Sequence, residues 1–106
     1  MCLLGPGCVS SGEGFAKMLA ALPHVTTVGL PTRGSSGNPG MVEVGETGLV
    51  VYFSQWVDLL PDGTPIEGKG VPPAVRVEAP AESYKEADPT LAKGLEVLRA
   101  RIAGKK

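Results

Sequence analysis

Three clusters of glycine and proline, Gly5–Gly14, Pro31–Gly40 and Pro61–Pro73, limit what this chain can fold into. Fifteen glycines and ten prolines in 106 residues break the sequence into short elements joined by tight loops. Between the clusters the apolar pattern is legible. Cys2–Leu4 predicts a short buried strand that ends at Gly5-Pro6-Gly7. From Ser11 to Leu22, Phe15, Met18, Leu19 and Leu22 recur at helical spacing, and Pro23 stops the helix. Val25–Leu30 is β-branched and apolar enough for a buried strand. Met41–Val44 and Leu49–Ser54 flank Gly45-Glu46-Thr47-Gly48 and predict a hairpin. Pro61-Asp62-Gly63 is a turn, and Val75–Val77 is a further strand. Asp88-Pro89 opens a last helix with Leu91, Leu95, Leu98 and Ile102 on one face and basic residues toward its C-terminus. The expectation is an α/β domain, with α+β as the alternative, spanning 1–106 as one unit.

Composition excludes several classes. Hydrophobic content of 42% and charged content of 20% suit a globular chain. A net charge of -1 gives no electrostatic reason to expect nucleic acid as a partner. No apolar run approaches the roughly 20 residues of a membrane span. Met1-Cys2-Leu3-Leu4 lacks the basic and long apolar regions of a signal peptide, so cytoplasmic is the default location. Cys2 and Cys8 make no disulfide framework, no Cys/His cluster has metal-ligand spacing, and no cofactor is expected. Gly63 to Gly70 nearly spells a phosphate-binding loop. It contains Pro65, misses the final Ser/Thr and opens no helix.

The chemistry concentrates in GPGCVSSGEGFAKMLAAL, Gly5 to Leu22. Ser10-x-x-Glu13 reads as a capping box, with the Ser10 hydroxyl on the Glu13 amide and the Glu13 carboxylate reaching back. The same position also suits a nucleophile. A serine before a helix has free amides beside it and the positive end of the macrodipole behind it, which an oxyanion needs. Gly5, Gly7, Gly12 and Gly14 would let a substrate backbone approach closely. Local sequence leaves both readings open. His24, the single histidine, cannot serve Ser10 within the chain, because the intervening helix separates them by about 20 Å.

Longer stretches resemble the C-terminal-processing (tail-specific) serine peptidases. GPGCVSSGEGFAKMLAALPHVTTVGLPTRGSSG is similar to their serine-containing segment, where the nucleophile lies three residues before a Glu and a later strand ends in G-x-x-T-x-G. The resemblance puts the nucleophile at Ser10, and the later motif at Gly29, Thr32 and Gly34. LLPDGTPIEGKGVPPAVRVEAP is similar to the family's turn and closing strand, and ADPTLAKGLEVL to its terminal helix. The resemblance implies a partial crotonase-like (ClpP-like) domain, with a small mixed sheet, a nucleophile helix and a C-terminal helix. It implies Ser10 as nucleophile, the Ser11 amide as oxyanion donor, and Glu67 as a residue ordering the base. Gly7, Gly34 and Ser35 would line the substrate cleft, and the substrate would be a peptide or protein. The chain departs from the family at three places. Ser35 stands where the bacterial members carry a general-base lysine. Ala74 replaces an Asp. The histidine of the tetrad branch, represented by the tricorn core and the interphotoreceptor retinoid-binding protein repeats, would lie upstream of Ser10. The resemblance therefore leans to that second branch and implies a truncated C-terminal portion of a catalytic domain, weakly active or inactive alone. A rival reading is a peptide- or apolar-ligand-binding module in which Ser10 only caps a helix. Unpaired strand edges lead us to expect a homo-oligomer or a complementing N-terminal segment.

Overall fold

Alternation along Cys2–Leu4 sets the layers. In the computed structural model, which describes residues 1–104, this strand, β1, pairs in parallel with β2 (Thr27–Gly29), and β2 pairs in parallel with β5 (Val75–Arg76). Successive strand residues point to opposite faces. Leu4 is buried with Ala16 of helix α1 (Ser11–Ala20), while the Leu3 side chain meets Gly94 of helix α3 (Pro89–Ala103). The two long helices therefore cover opposite faces of a three-stranded parallel sheet. Ile66 and Val71, from the turn before β5, complete the core with Leu4 and Ala16.

The expected hairpin forms as β3 (Gly40–Glu43) and β4 (Val50–Phe53), antiparallel, with Met41 opposite Tyr52 and Val42 opposite Val51. It makes a second sheet of its own, so the strands do not join into the single mixed sheet expected. From Met41 to Val57 every residue is exposed, Met41, Tyr52 and Trp56 among them. The radius of gyration is 17.6 Å, against about 13 Å for a compact chain of this length. The accessible surface is 7308 Å², against roughly 5,600 Å² for a compact protein of this mass.

Three details differ from the sequence reading. Helix α1 stops at Ala20, two residues before Leu22. A one-turn helix, α2 (Ser83–Glu86), precedes α3, and the Tyr84 hydroxyl meets the Thr90 hydroxyl at 3.0 Å. In α3 the residues turned toward the sheet are Thr90 and Gly94, both buried, whereas Leu91, Leu95, Leu98 and Ile102 lie one step round and stay exposed. Glycine at 94 is what lets the helix approach: a Cβ there would meet Leu3 Cδ2 at 2.8 Å. Asp88 caps α3 as expected, accepting the Leu91 amide at 3.0 Å. No helix among the described residues is long and apolar enough to cross a membrane.

Candidate active site

The chain leaves β1 through Gly5-Pro6-Gly7 and enters α1 at Ser10, whose backbone has φ 52° and ψ -121°. Among the described residues only Ser10 and Asn38 are non-glycine residues at positive φ. For an L-residue that conformation costs on the order of 1–2 kcal/mol. Ser10 and Glu13 occupy the capping-box positions, but the Ser10 side chain makes no cap hydrogen bond. The Glu13 amide donates instead to the Ser10 carbonyl at 2.8 Å. The Ser10 hydroxyl faces the Glu13 amide as in a capping box without a hydrogen bond between them, and the Ser10 amide donates to Glu13 Oε2 at 3.2 Å. The Ser10 hydroxyl makes no hydrogen bond among the described residues. Beside it, the Ser11 amide has no acceptor among the described residues, as the first turn of a helix allows.

Glu13 organises the site, a role the sequence reading gave only to a cap. Its side chain is fully buried and its carboxylate accepts four hydrogen bonds. Thr32 Oγ1 and the Gly34 amide donate to Oε1, each at 2.6 Å, and the Ser35 amide donates to Oε2 at 2.8 Å, alongside Ser10. Burial raises its pKa, but the bonds from Thr32, Gly34, Ser35 and Ser10 together hold the carboxyl below its ordinary value. The G-x-x-T-x-G segment is thereby explained. Gly29 passes so close to β1 that a Cβ would lie 2.1 Å from the Leu4 carbonyl oxygen. Thr32 donates to Glu13 and accepts the Val71 amide at 2.7 Å. Gly34, at φ 75°, presses on the 66–70 turn, where a Cβ would meet Ile66 O, Lys69 N and Gly70 N at 2.6 Å.

Two backbone bonds hold the serine turn against the same segment: Arg33 N–H to the Cys8 carbonyl and Ser10 N–H to the Ser35 carbonyl, both 2.9 Å. Along 32–36 burial alternates strictly, with Thr32, Gly34 and Ser36 inside and Arg33 and Ser35 outside. Ser10, Ser35 and Glu67 line one cavity of about 720 Å³, with Val9, Arg33, Tyr52, Phe53 and Trp56 among its walls. The structure thus brings together three of the residues singled out in the sequence. Gly7, Ser11 and Gly34 do not line the cavity. Gly7 lies exposed in the turn, and the Gly34 amide is committed to Glu13.

The remaining titratable groups near α1 are engaged or distant. Lys17 pairs with Asp58 and donates to the Leu59 carbonyl at 3.1 Å. That Lys17 hydrogen bond holds the Asp58 carboxyl below its usual range, against burial, with help from the Ser36 hydroxyl. Burial, with the Glu13 and Cys2 charges, pushes the Cys8 thiol up, which disfavours the thiolate a nucleophile needs. His24 sits beyond the far end of α1, beside Met1, Leu98, Arg101 and Ile102. No cluster of metal-ligating side chains occurs among the described residues.

Residues 1–77 match the model of peptidase family S41. A carboxy-terminal-processing protease of Bartonella bacilliformis is 32% identical over 109 residues, an alignment that covers 97% of this chain and 23% of that protein. A candidate peptidase from Parabacteroides merdae has a similar structure, with TM-score 0.78 and 27% identity over 91% of this chain and 30% of its own. Mature CPAF, solved in complex with lactacystin, aligns with TM-score 0.72 and 19% identity over 95% of this chain and 19% of its own, a likeness of fold. The chain spans less than a third of the length of each.

Proposed function

This chain belongs to peptidase family S41, and on that premise we propose that Ser10 is the nucleophile of a peptide-hydrolysing site, in the C-terminal portion of a crotonase-like (ClpP-like) catalytic domain. The observation that carries the reading is the Ser10 turn itself. A strained serine at the start of a helix keeps its hydroxyl out of the cap's hydrogen bonds, beside an amide with no acceptor among the described residues, on the wall of a cavity. Ser10 Oγ attacks the scissile carbonyl, and the Ser11 N–H takes up charge on its oxygen. Glu67, on the same cavity wall, orders the base.

The base itself comes from outside the described residues. Arg33 lines the cavity, but a guanidinium is a donor and not a general base. Ser35 occupies the place of the family's lysine, which keeps the chain on the side of the tricorn-core branch. A site of this kind without its base retains only the contribution of binding and oxyanion stabilisation. The exposed apolar hairpin is covered by a second copy or by a complementing N-terminal segment, which is also where a base enters.

A fluorophosphonate probe tests the reading. The 106-residue chain is expected to label slowly, at Ser10 alone, faster as pH rises, and not at all in Ser10→Ala. Label scattered over several serines, or none at Ser10, would refute the nucleophile. Rapid stoichiometric labelling, or brisk cleavage of an unstructured protein, would refute the missing base.

A further inference from the structure

Arg33 is the one cationic side chain on the wall of the Ser10 cavity. The guanidinium makes no hydrogen bond or ion pair among the described residues, whereas Lys17, Arg76 and Lys93 are each paired with a carboxylate. Its backbone is held, because the Arg33 amide donates to the Cys8 carbonyl at 2.9 Å. Arg33 and Ser35 both line the cavity, on either side of Gly34, and Ser35 is joined to Ser10 through its carbonyl. Two residue steps along the chain keep the Arg33 and Ser35 Cα atoms within about 7 Å of each other. A peptide lying across Ser10 therefore comes within reach of the guanidinium two or three residues from the bond facing the hydroxyl. The opposite wall is aromatic and apolar, with Tyr52, Phe53, Trp56 and Val57, and the single carboxylate lining the cavity is Glu67.

We infer that this cavity selects peptides that combine an apolar side chain with a carboxylate about two residues away, the carboxylate being taken by Arg33. The inference rests on the reading of the cavity as a peptide site. A guanidinium offers a planar fork of donors that matches a carboxylate in two parallel bonds. An acidic side chain and a free C-terminus present the same group.

Trp56, the single tryptophan of the chain, lines the cavity and reports on its occupancy. Titrate the 106-residue chain with acetyl-Ala-Ala-Leu-Ala-Ala peptides, following Trp56 emission and the heat of binding. One peptide ends in a carboxamide, one in a free carboxylate, and two carry Asp in place of an Ala two residues to either side of Leu and end in a carboxamide. At least one acidic peptide is expected to bind about tenfold tighter than the neutral one, a factor that shrinks as salt rises. Which acidic peptide gains identifies the source of the carboxylate. Arg33→Gln should bring its affinity down to that of the neutral peptide, and Arg33→Lys should keep part of the gain. Melting curves confirm that both variants fold. Equal binding of all four peptides overturns the role of Arg33 and leaves the peptide site standing. Neither heat nor an emission change with any peptide overturns both readings. An acidic preference that survives Arg33→Gln assigns the carboxylate elsewhere and also overturns the inference.

Discussion

Replacing Glu13 by Gln should destabilise this protein far more than the loss of a helix cap. The carboxylate accepts Thr32 and Gly34 on one oxygen and Ser35 and Ser10 on the other. Gln keeps one oxygen, so two of those bonds survive without charge. Its NH2 group then faces two N–H donors. The Ser10 amide still has the Ser35 carbonyl at 2.9 Å, so the main losses are the Ser35 bond and the charge on the other two. A hydrogen bond to a charged acceptor contributes about 1.5–3 kcal/mol, against about 1 for a neutral one. The sum is a loss of about 2.5–7 kcal/mol, less the desolvation cost that a neutral Gln avoids, a large part of the roughly 5–15 kcal/mol that holds a domain folded. Urea unfolding measures it, as a lower midpoint at unchanged slope. The pH dependence gives a second readout. The folded Glu13 carboxyl lies below its ordinary value, so its contribution is complete above the unfolded pKa, about 4.3, and is lost as pH falls through the lowered folded value. Asp58 has the same sign. Stability should be level from neutral pH to about 5, then fall in acid, and Glu13→Gln should flatten the fall. A shift under about 0.5 kcal/mol, the scale of an ordinary surface substitution, with an unchanged acid limb, would refute the role of Glu13 as the hub.

Other outcomes follow from the same geometry. Ser10→Ala removes no cap bond and should change urea stability by less than about 0.5 kcal/mol, where loss of a working cap costs about 1. Ser10→Gly, free of the positive-φ strain, should gain about 0.5–1 kcal/mol while abolishing labelling. Ser35→Lys places an amine beside Ser10 and should speed fluorophosphonate labelling by about a hundredfold or more, with a rise as the lysine loses its proton; no acceleration would sink the assignment of both positions. Light scattering at micromolar concentration should show association that Val51→Lys weakens, since Val51 lies exposed in the hairpin; a wild-type monomer would remove the second copy as its cover.

The elements that were legible in the sequence are those specified by near neighbours. The Phe15, Met18 and Leu19 spacing located α1, Asp88-Pro89 located the start of α3, and the glycine turn at 45–48 located the hairpin. Each rests on capping, periodicity or turn chemistry within a few residues. What escaped depends on partners far along the chain. Glu13 meets Thr32, Gly34 and Ser35 about twenty positions away, so nothing around it distinguishes a hub from a cap. The leucine face of α3 misled because hydrophobicity names a face without saying which face can come close. Gly94 decides it, since a small residue allows an approach that leucines do not. Arg33 carried no signal of its own, and only the fold, which brings residues 33–39 against the hairpin, puts it on the cavity wall.

The strain at Ser10 and the burial of Glu13 are two sides of one arrangement. A serine at φ 52° relaxes unless its surroundings hold it. Here the Ser10 amide is fixed between Glu13 Oε2 and the Ser35 carbonyl, so the turn rotates only by giving up both acceptors. Glu13 is fixed in turn, since it also satisfies the Thr32 hydroxyl and the Gly34 amide, and Thr32 carries the Val71 amide. The chain of bonds runs from the serine turn to the buried Val71 of the core without using the Ser10 hydroxyl. Strain of about 1–2 kcal/mol is thus offset by bonds that leave the Ser10 hydroxyl unengaged. A hydroxyl that capped the helix would have to leave its amide before attacking a substrate, and that bond of about 1 kcal/mol would be added to the barrier. On the proposed reading of Ser10 as nucleophile, handing the cap to Glu13, a buried carboxylate bonded to Ser10, Thr32, Gly34 and Ser35, removes that cost.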